Sequence, residues 1–140
     1  MNYEGFIRKY NGRKVDFDGA FGAQCVDLFR QFCADVLSIP HTGAVEGAKD
    51  LFLNYDKMPG EKQYFSRVKE TKSAKYRAGD VAVWGATAAN GYGHVALIVS
   101  ALGNSLVVFE QDGFKQDGAK ISLRERKNLL GVLRSTKEVV

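Results

Sequence analysis

Asp16-Phe17-Asp18-Gly19-Ala20-Phe21-Gly22-Ala23-Gln24-Cys25-Val26-Asp27 is the stretch on which the reading of this chain turns. It sets three carboxylates, two glycines and a cysteine in one loop that runs straight into an amphipathic helix. Carboxylates this close repel one another unless a cation or a set of backbone amides neutralises them. A thiol at a helix N-terminus sits where the partial positive charge favours the thiolate, the nucleophilic form. The stretch reads as a metal loop feeding a reactive cysteine.

Working outward, the helix that starts at Gln24 is expected to run to Leu37 and end before Pro40. Cys33 joins Val26, Phe29, Val36 and Leu37 at helical spacing, which makes it a core residue. Eight residues of helix put the two cysteine Cα atoms about 12 Å apart, beyond the roughly 4.4–6.8 Å of a disulfide. They cannot pair within that helix. Upstream, a short helix is expected over Tyr3–Tyr10, before the Asn11-Gly12 turn signal. A weaker helical pattern covers Gly43 to Tyr55 through Val45, Ala48, Leu51 and Phe52. Residues 56–79 are polar and basic, and read as loop with a short strand near Tyr64–Val68.

Beyond Gly79-Asp80 the pattern turns to β. Strands are expected at Val81–Trp84, His94–Ser100 and Leu106–Gln111, the last two joined by a turn at Leu102-Gly103-Asn104. Short strands near Lys120–Leu123 and Val132–Arg134 would complete the sheet. Helices first and an antiparallel sheet after is the α+β arrangement. The 140 residues suit one domain, 1–140, with no repeat and no linker to a second.

Composition excludes several classes. With 45% hydrophobic and 26% charged residues the chain is an ordinary soluble globule. No apolar run nears the roughly 20 residues of a membrane span, and none resembles a signal peptide's apolar region. The expectation is a protein made in the cytoplasm without membrane insertion. A net charge of +4 favours an anionic surface such as nucleic acid or cell-wall polymer. The basic residues are scattered without interleaved aromatics, so nucleic acid is not the expected partner.

An activated cysteine needs a base, and the chain has two histidines. His41 follows Pro40 without an evident partner. His94 opens a strand after Gly91-Tyr92-Gly93, where small neighbours leave the ring accessible. A hairpin centred on Leu102 would pair position 94 with Glu110, putting both side chains on one face. The carboxylate would then hold the imidazole's tautomer while its other nitrogen faces the thiol.

These residues resemble a known family. Asp-x-Asp-Gly before Gln24-Cys25-Val26-Asp27, then Gly79-Asp80-Val81-Ala82-Val83-Trp84-Gly85, Gly93-His94-Val95-Ala96 and Phe109-Glu110-Gln111-Asp112 look like a CHAP domain. These are papain-like cysteine, histidine-dependent amidohydrolases/peptidases, common in phage endolysins. The resemblance implies a papain-like fold with Cys25 as nucleophile, His94 as general base and Glu110 orienting it. The family often has an asparagine two residues past that acid; Asp112 stands there, and either raises the imidazole pKa or faces solvent. The Cys25 backbone N–H and Gln24 are candidate oxyanion donors, although Gln24 equally suits a local role at the helix entry. Trp84 and Tyr92 are candidate walls of the groove.

Asp16, Asp18, Ala20, Gly22 and Asp27 fall at loop positions 1, 3, 5, 7 and 12, the EF-hand order of oxygen ligands. Ala20 and Gly22 could give only backbone carbonyls, and Gly19 stands at position 4 where the EF-hand has glycine at 6. Several CHAP endolysins bind calcium just before the catalytic cysteine, so the expected ion is calcium, ordering the loop. The alternative is Asx-turns at Asp16 and Asp18 with Asp27 capping the helix. Zinc lacks its soft ligands.

The expected function is hydrolysis of a peptidoglycan amide, either as N-acetylmuramoyl-L-alanine amidase or as cross-bridge or stem endopeptidase. Such a lysin acts on the wall after holin release or from outside, as a monomer or within a longer protein carrying a wall-binding domain. The rivals are a papain-like amidase on another small amide and a catalytically silent, calcium-dependent wall-binding module.

Overall fold

A computed structural model describes residues 1–20 and 22–139; Phe21 of the loop quoted above lies outside the described residues. Helix α1 spans Tyr3–Tyr10, as its pattern predicts, with the Asn2 side chain accepting the Gly5 N–H as its cap. Helix α2 spans Cys25–Phe32 and then widens into a π-helical turn over Cys33–Leu37. The turn ends at Ser38, whose φ of 54° is left-handed. The expected Gln24–Leu37 helix is thus continuous in path but changes its hydrogen-bond register near Cys33.

Between residues 43 and 55 the helix is shorter than expected. Only α3 (Asp50–Leu53) forms there, followed by a 3₁₀ turn over Tyr55–Lys57. A further helix, α4 (Pro59–Tyr64), starts where the sequence suggests loop. Pro59 there occupies the first helical turn, where its missing N–H breaks no bond.

Six strands follow: β1 (Phe65–Lys69), β2 (Val81–Trp84), β3 (His94–Leu102), β4 (Ser105–Glu110), β5 (Lys120–Glu125) and β6 (Leu129–Ser135). They form one antiparallel sheet in the order β1-β6-β2-β3-β4-β5. The architecture is α+β, with the N-terminal helices against the sheet. Successive residues of a strand point to opposite faces. Accordingly Val81, Val83, Val95, Leu97 and Phe109 pack with Phe6, Leu28, Phe29 and Phe32 of the helices. Ala82, Trp84, Ala96, Ile98, Leu106 and Val108 form a second core on the other face.

That second core is enclosed because the sheet curls. The Trp84 indole N–H on β2 donates to the Glu125 carbonyl at the end of β5, three strands further on, at 3.0 Å. Past β5, Arg126 joins Glu70, just after β1, through a two-pronged ion pair. The β3–β4 hairpin turns at Gly103-Asn104, with Gly103 at φ 65°. A bulge at Val99 then shifts the pairing to Ile98↔Val108 and Leu97↔Phe109.

Candidate active site

Three elements converge on the site: the start of α2, the start of β3 and the end of β4. The α2 N-terminus is fixed by Asp27, whose Oδ2 accepts the Gln24 N–H at 2.9 Å from within the first turn. This aims Cys25 into a cavity of about 630 Å³ that His94 also lines. His94 enters β3 through Gly93, whose φ of 74° is left-handed. A Cβ at Gly93 would lie 2.4 Å from the Trp84 carbonyl and 2.8 Å from Lys49 Cβ, so only glycine permits this approach.

The structure brings Cys25, His94 and Glu110 together. His94 Nε2 lies 3.0 Å from Glu110 Oε1, which leaves Nδ1 for Cys25, which lines the same cavity and acts on the ring's charge. The register differs from the expected one. Continuing Leu97↔Phe109 sets Glu110 opposite Ala96, so His94 and Glu110 are diagonal neighbours and not direct partners. The turn centre and the bulge move the pairing by two residues. An even shift keeps the same face, and both side chains are long enough to span the diagonal.

The electrostatics follow from burial and partners. Burial alone would lower the His94 pKa. The Cys25 thiol and the Glu110 carboxylate beside the ring outweigh it and hold it up at about 9. Burial would likewise raise Glu110, yet His94 and Arg124 hold it down at about 2. The carboxylate therefore stays ionised beside a ring that carries its proton through neutral pH.

Arg124 and Gln111 belong to this site although the sequence reading assigns them no part. Arg124, on β5, hydrogen-bonds Glu110 through Nε and covers the Trp84 ring, 5.7 Å from its centroid. Trp84 is a core residue that also stacks beside His94. Gln111 is fully buried, donates to the Val15 and Gln24 carbonyls at 2.7 and 2.9 Å, and accepts the Val15 N–H at 2.7 Å. It ties the end of β4 to both ends of the carboxylate loop. Gln116 fastens the same loop by pairing with the Ala23 N–H and carbonyl.

Asp112 lines the same cavity as His94 but makes no hydrogen bond to the ring among the described residues. Its Oδ1 accepts the Phe114 N–H at 2.8 Å and the Lys115 N–H at 3.3 Å, forming a local turn. Gln24 lines the cavity beside Cys25, with its carbonyl held by Gln111. His41 lines the same cavity, its Nδ1 accepting the Gly43 N–H at 3.1 Å. Both cysteines are free, and Cys33 is buried in the core.

The CHAP domain family model matches residues 14–112, which is well over half the chain and holds every residue of the Cys25–His94–Glu110 chain. The chain belongs to the CHAP domain family. Its fold is similar to that of the endolysin LysIME-EF1, with a TM-score of 0.68 at 22% identity over 96% of this chain. Ly7917 is similar at TM-score 0.65 and 18% identity over 93% of this chain. A second Ly7917 structure, with the hydrolyzing product of MDP, gives 0.67 and 17% over 93%. This CHAP chain spans 62% of the first of those chains and 60% of the other two.

In this CHAP domain the carboxylates of Asp16, Asp18 and Asp27 offer oxygens within 4.8 Å of one another. None pairs with a lysine or arginine among the described residues. Burial, and then the charges of Asp18 and Asp16, push Asp27 up to about 6. Local bonds are present too: Asp18 Oδ1 accepts the Ala20 N–H, and Asp27 is the helix cap. These use one oxygen of each and leave the crowded negative charge uncompensated, so the donor set fits a hard cation such as calcium. Ala20 and Gly22 bring no side-chain ligand and could add only their carbonyls.

Proposed function

We propose that this CHAP domain hydrolyses an amide bond of bacterial peptidoglycan through a covalent intermediate on Cys25. The observation that carries the reading is the chain Cys25–His94–Glu110, set at a helix N-terminus in an open cleft. Family membership and the fold shared with an endolysin support peptidoglycan as the substrate, as does the hydrolyzing product of MDP held by a protein of this fold. The cleft is rimmed by Phe17, Tyr92 and Phe114, which are 40%, 62% and 70% exposed. Exposed rings gathered at one cleft suit contact with a substrate's apolar faces.

The reaction begins with the thiol proton on His94, giving thiolate and imidazolium. The Cys25 sulfur attacks the amide carbonyl carbon, and the carbonyl oxygen takes the electron pair as an oxyanion. The Cys25 backbone N–H faces that oxygen, with the Gln24 side chain as a second donor. His94 gives its proton to the leaving nitrogen, the C–N bond breaks and the amine departs, leaving a thioester. Water then attacks the thioester while His94 takes its proton. Collapse expels the thiolate and frees the carboxylic acid.

Glu110, kept ionised by Arg124, holds the ring and stabilises its charged form. Calcium held by Asp16, Asp18 and Asp27, with the Ala20 and Gly22 carbonyls, would supply the positive charge that neutralises the loop. Asp112 serves the turn that carries Phe114 to the rim.

The test is mass spectrometry of fragments from digested, purified peptidoglycan. New amine termini are expected, at N-acetylmuramoyl-L-alanine or within the stem and cross-bridge. New reducing sugar ends without new amines would refute the reading.

A further inference from the structure

A second cavity, of about 560 Å³, lies beyond His94 from Cys25, and His94, Gly93 and Asn90 line both. Its far wall is β5, whose pattern is inverted. The side that faces Glu110, Val108 and Leu106 carries Lys120, Ser122 and Arg124. The outer side carries Ile121 and Leu123, which are 51% and 65% exposed. A strand that turns polar residues inward and leaves apolar ones in water is serving something other than the core. Lys115 and Lys127 add to the same lining. The lining carboxylates are Glu110, taken by His94 and Arg124, and Glu125, while Lys120 pairs with Asp117 at 2.8 Å. Neither Lys115 nor Lys127 has a carboxylate partner among the described residues.

We propose that this basic cavity is a subsite for a carboxylate on the leaving-amine half of the substrate. The inference rests on the amide-hydrolase reading. There His94 must deliver its proton to the departing nitrogen, so that half of the substrate lies on the ring's side, and the cavity beyond the ring is the space it enters. The excess of ammonium and guanidinium groups selects an anion, and a peptide amine fragment carries carboxylates.

The experiment compares two preparations of purified peptidoglycan, one native and one with its free carboxylates converted to amides by carbodiimide coupling. Both are first stripped of phosphodiester polymers. Initial rates of amine release below saturation are measured for each. The wild-type protein is expected to prefer the native wall by about twofold to thirtyfold, the range for two exposed ion pairs. In the Lys115→Gln/Lys127→Gln variant that ratio falls to about one. A Lys9→Gln/Lys72→Gln variant loses the same charge outside the cavity and keeps the preference. A wild-type ratio near one, or a ratio untouched by Lys115→Gln/Lys127→Gln, overturns the subsite. So does equal loss in both variants, which would mark bulk attraction, or a preference seen only before phosphodiester removal. If no wall preparation yields amines, the hydrolase reading falls and the subsite with it; Cys25-dependent release without preference removes the subsite alone.

Discussion

At the residue scale the site is defined by where one proton resides. His94 is held at about 9 against an ordinary 6.5, and Glu110 at about 2 against 4.5. A raised histidine pKa means that the charged ring stabilises the fold fully below pH 6.5 and loses that contribution as pH rises through about 9. The depressed Glu110 acts oppositely: its contribution is present above 4.5 and lost as pH falls through about 2. In the proposed mechanism activity follows His94, so kcat/KM is expected to fall on an alkaline limb centred near 9. Glu110→Gln removes a bond that raises the ring's pKa. Its limb is expected to move below that value, and its rate near pH 7 to drop about a hundredfold or more. A pH–rate profile of both proteins checks this, and an unmoved limb would show that Glu110 does not govern the ring. Cys25, His94 and Glu110 were legible in the sequence because each has a distinctive chemistry in a recognisable local pattern. Arg124 was not, since its partner Glu110 lies 14 residues away on a neighbouring strand and nothing local marks the pair.

At the element scale the sequence conveyed the kinds of elements better than their registers. Helix α1 and strand β2 fall at their expected bounds, because capping and apolar runs are local signals. The π-turn after Phe32, the short α3 and the Val99 bulge depend on what packs against them, which periodicity does not contain. The His94–Glu110 contact survived a register error because an even shift preserves the face. Gln111 is the element-level tie. Its amide satisfies three backbone groups that join β4 to the loop before α2. Gln111→Ala leaves those buried groups without partners and is expected to destabilise the fold by about 2–4 kcal/mol. Denaturant unfolding measures this, and a change under about 0.5 kcal/mol would mean that water replaces the amide freely.

At the scale of the whole molecule, the curled sheet and the helices meet along a seam whose end is the carboxylate loop. The three-carboxylate cluster was legible from spacing alone, whereas the seam was not, because Gln111 and Gln116 reach it from distant parts of the chain. Calcium at about 100 times its Kd is expected to add about 2.7 kcal/mol of stability, raising Tm by about 5–10 °C in a chain of this size. Asp18→Asn relieves the repulsion, so in chelator it should melt no lower than the parent while losing the calcium response. Identical melting of the parent in calcium and in excess chelator would remove the ion from the account. Among the described residues no helix is long and apolar enough to cross a membrane. The central claim is that Cys25 carries the chemistry, and the most direct measurement is amine release from purified peptidoglycan by Cys25→Ala beside the parent. The account predicts a rate at least about a thousandfold lower with an unchanged melting temperature; release at the parent's rate by the folded variant would contradict it.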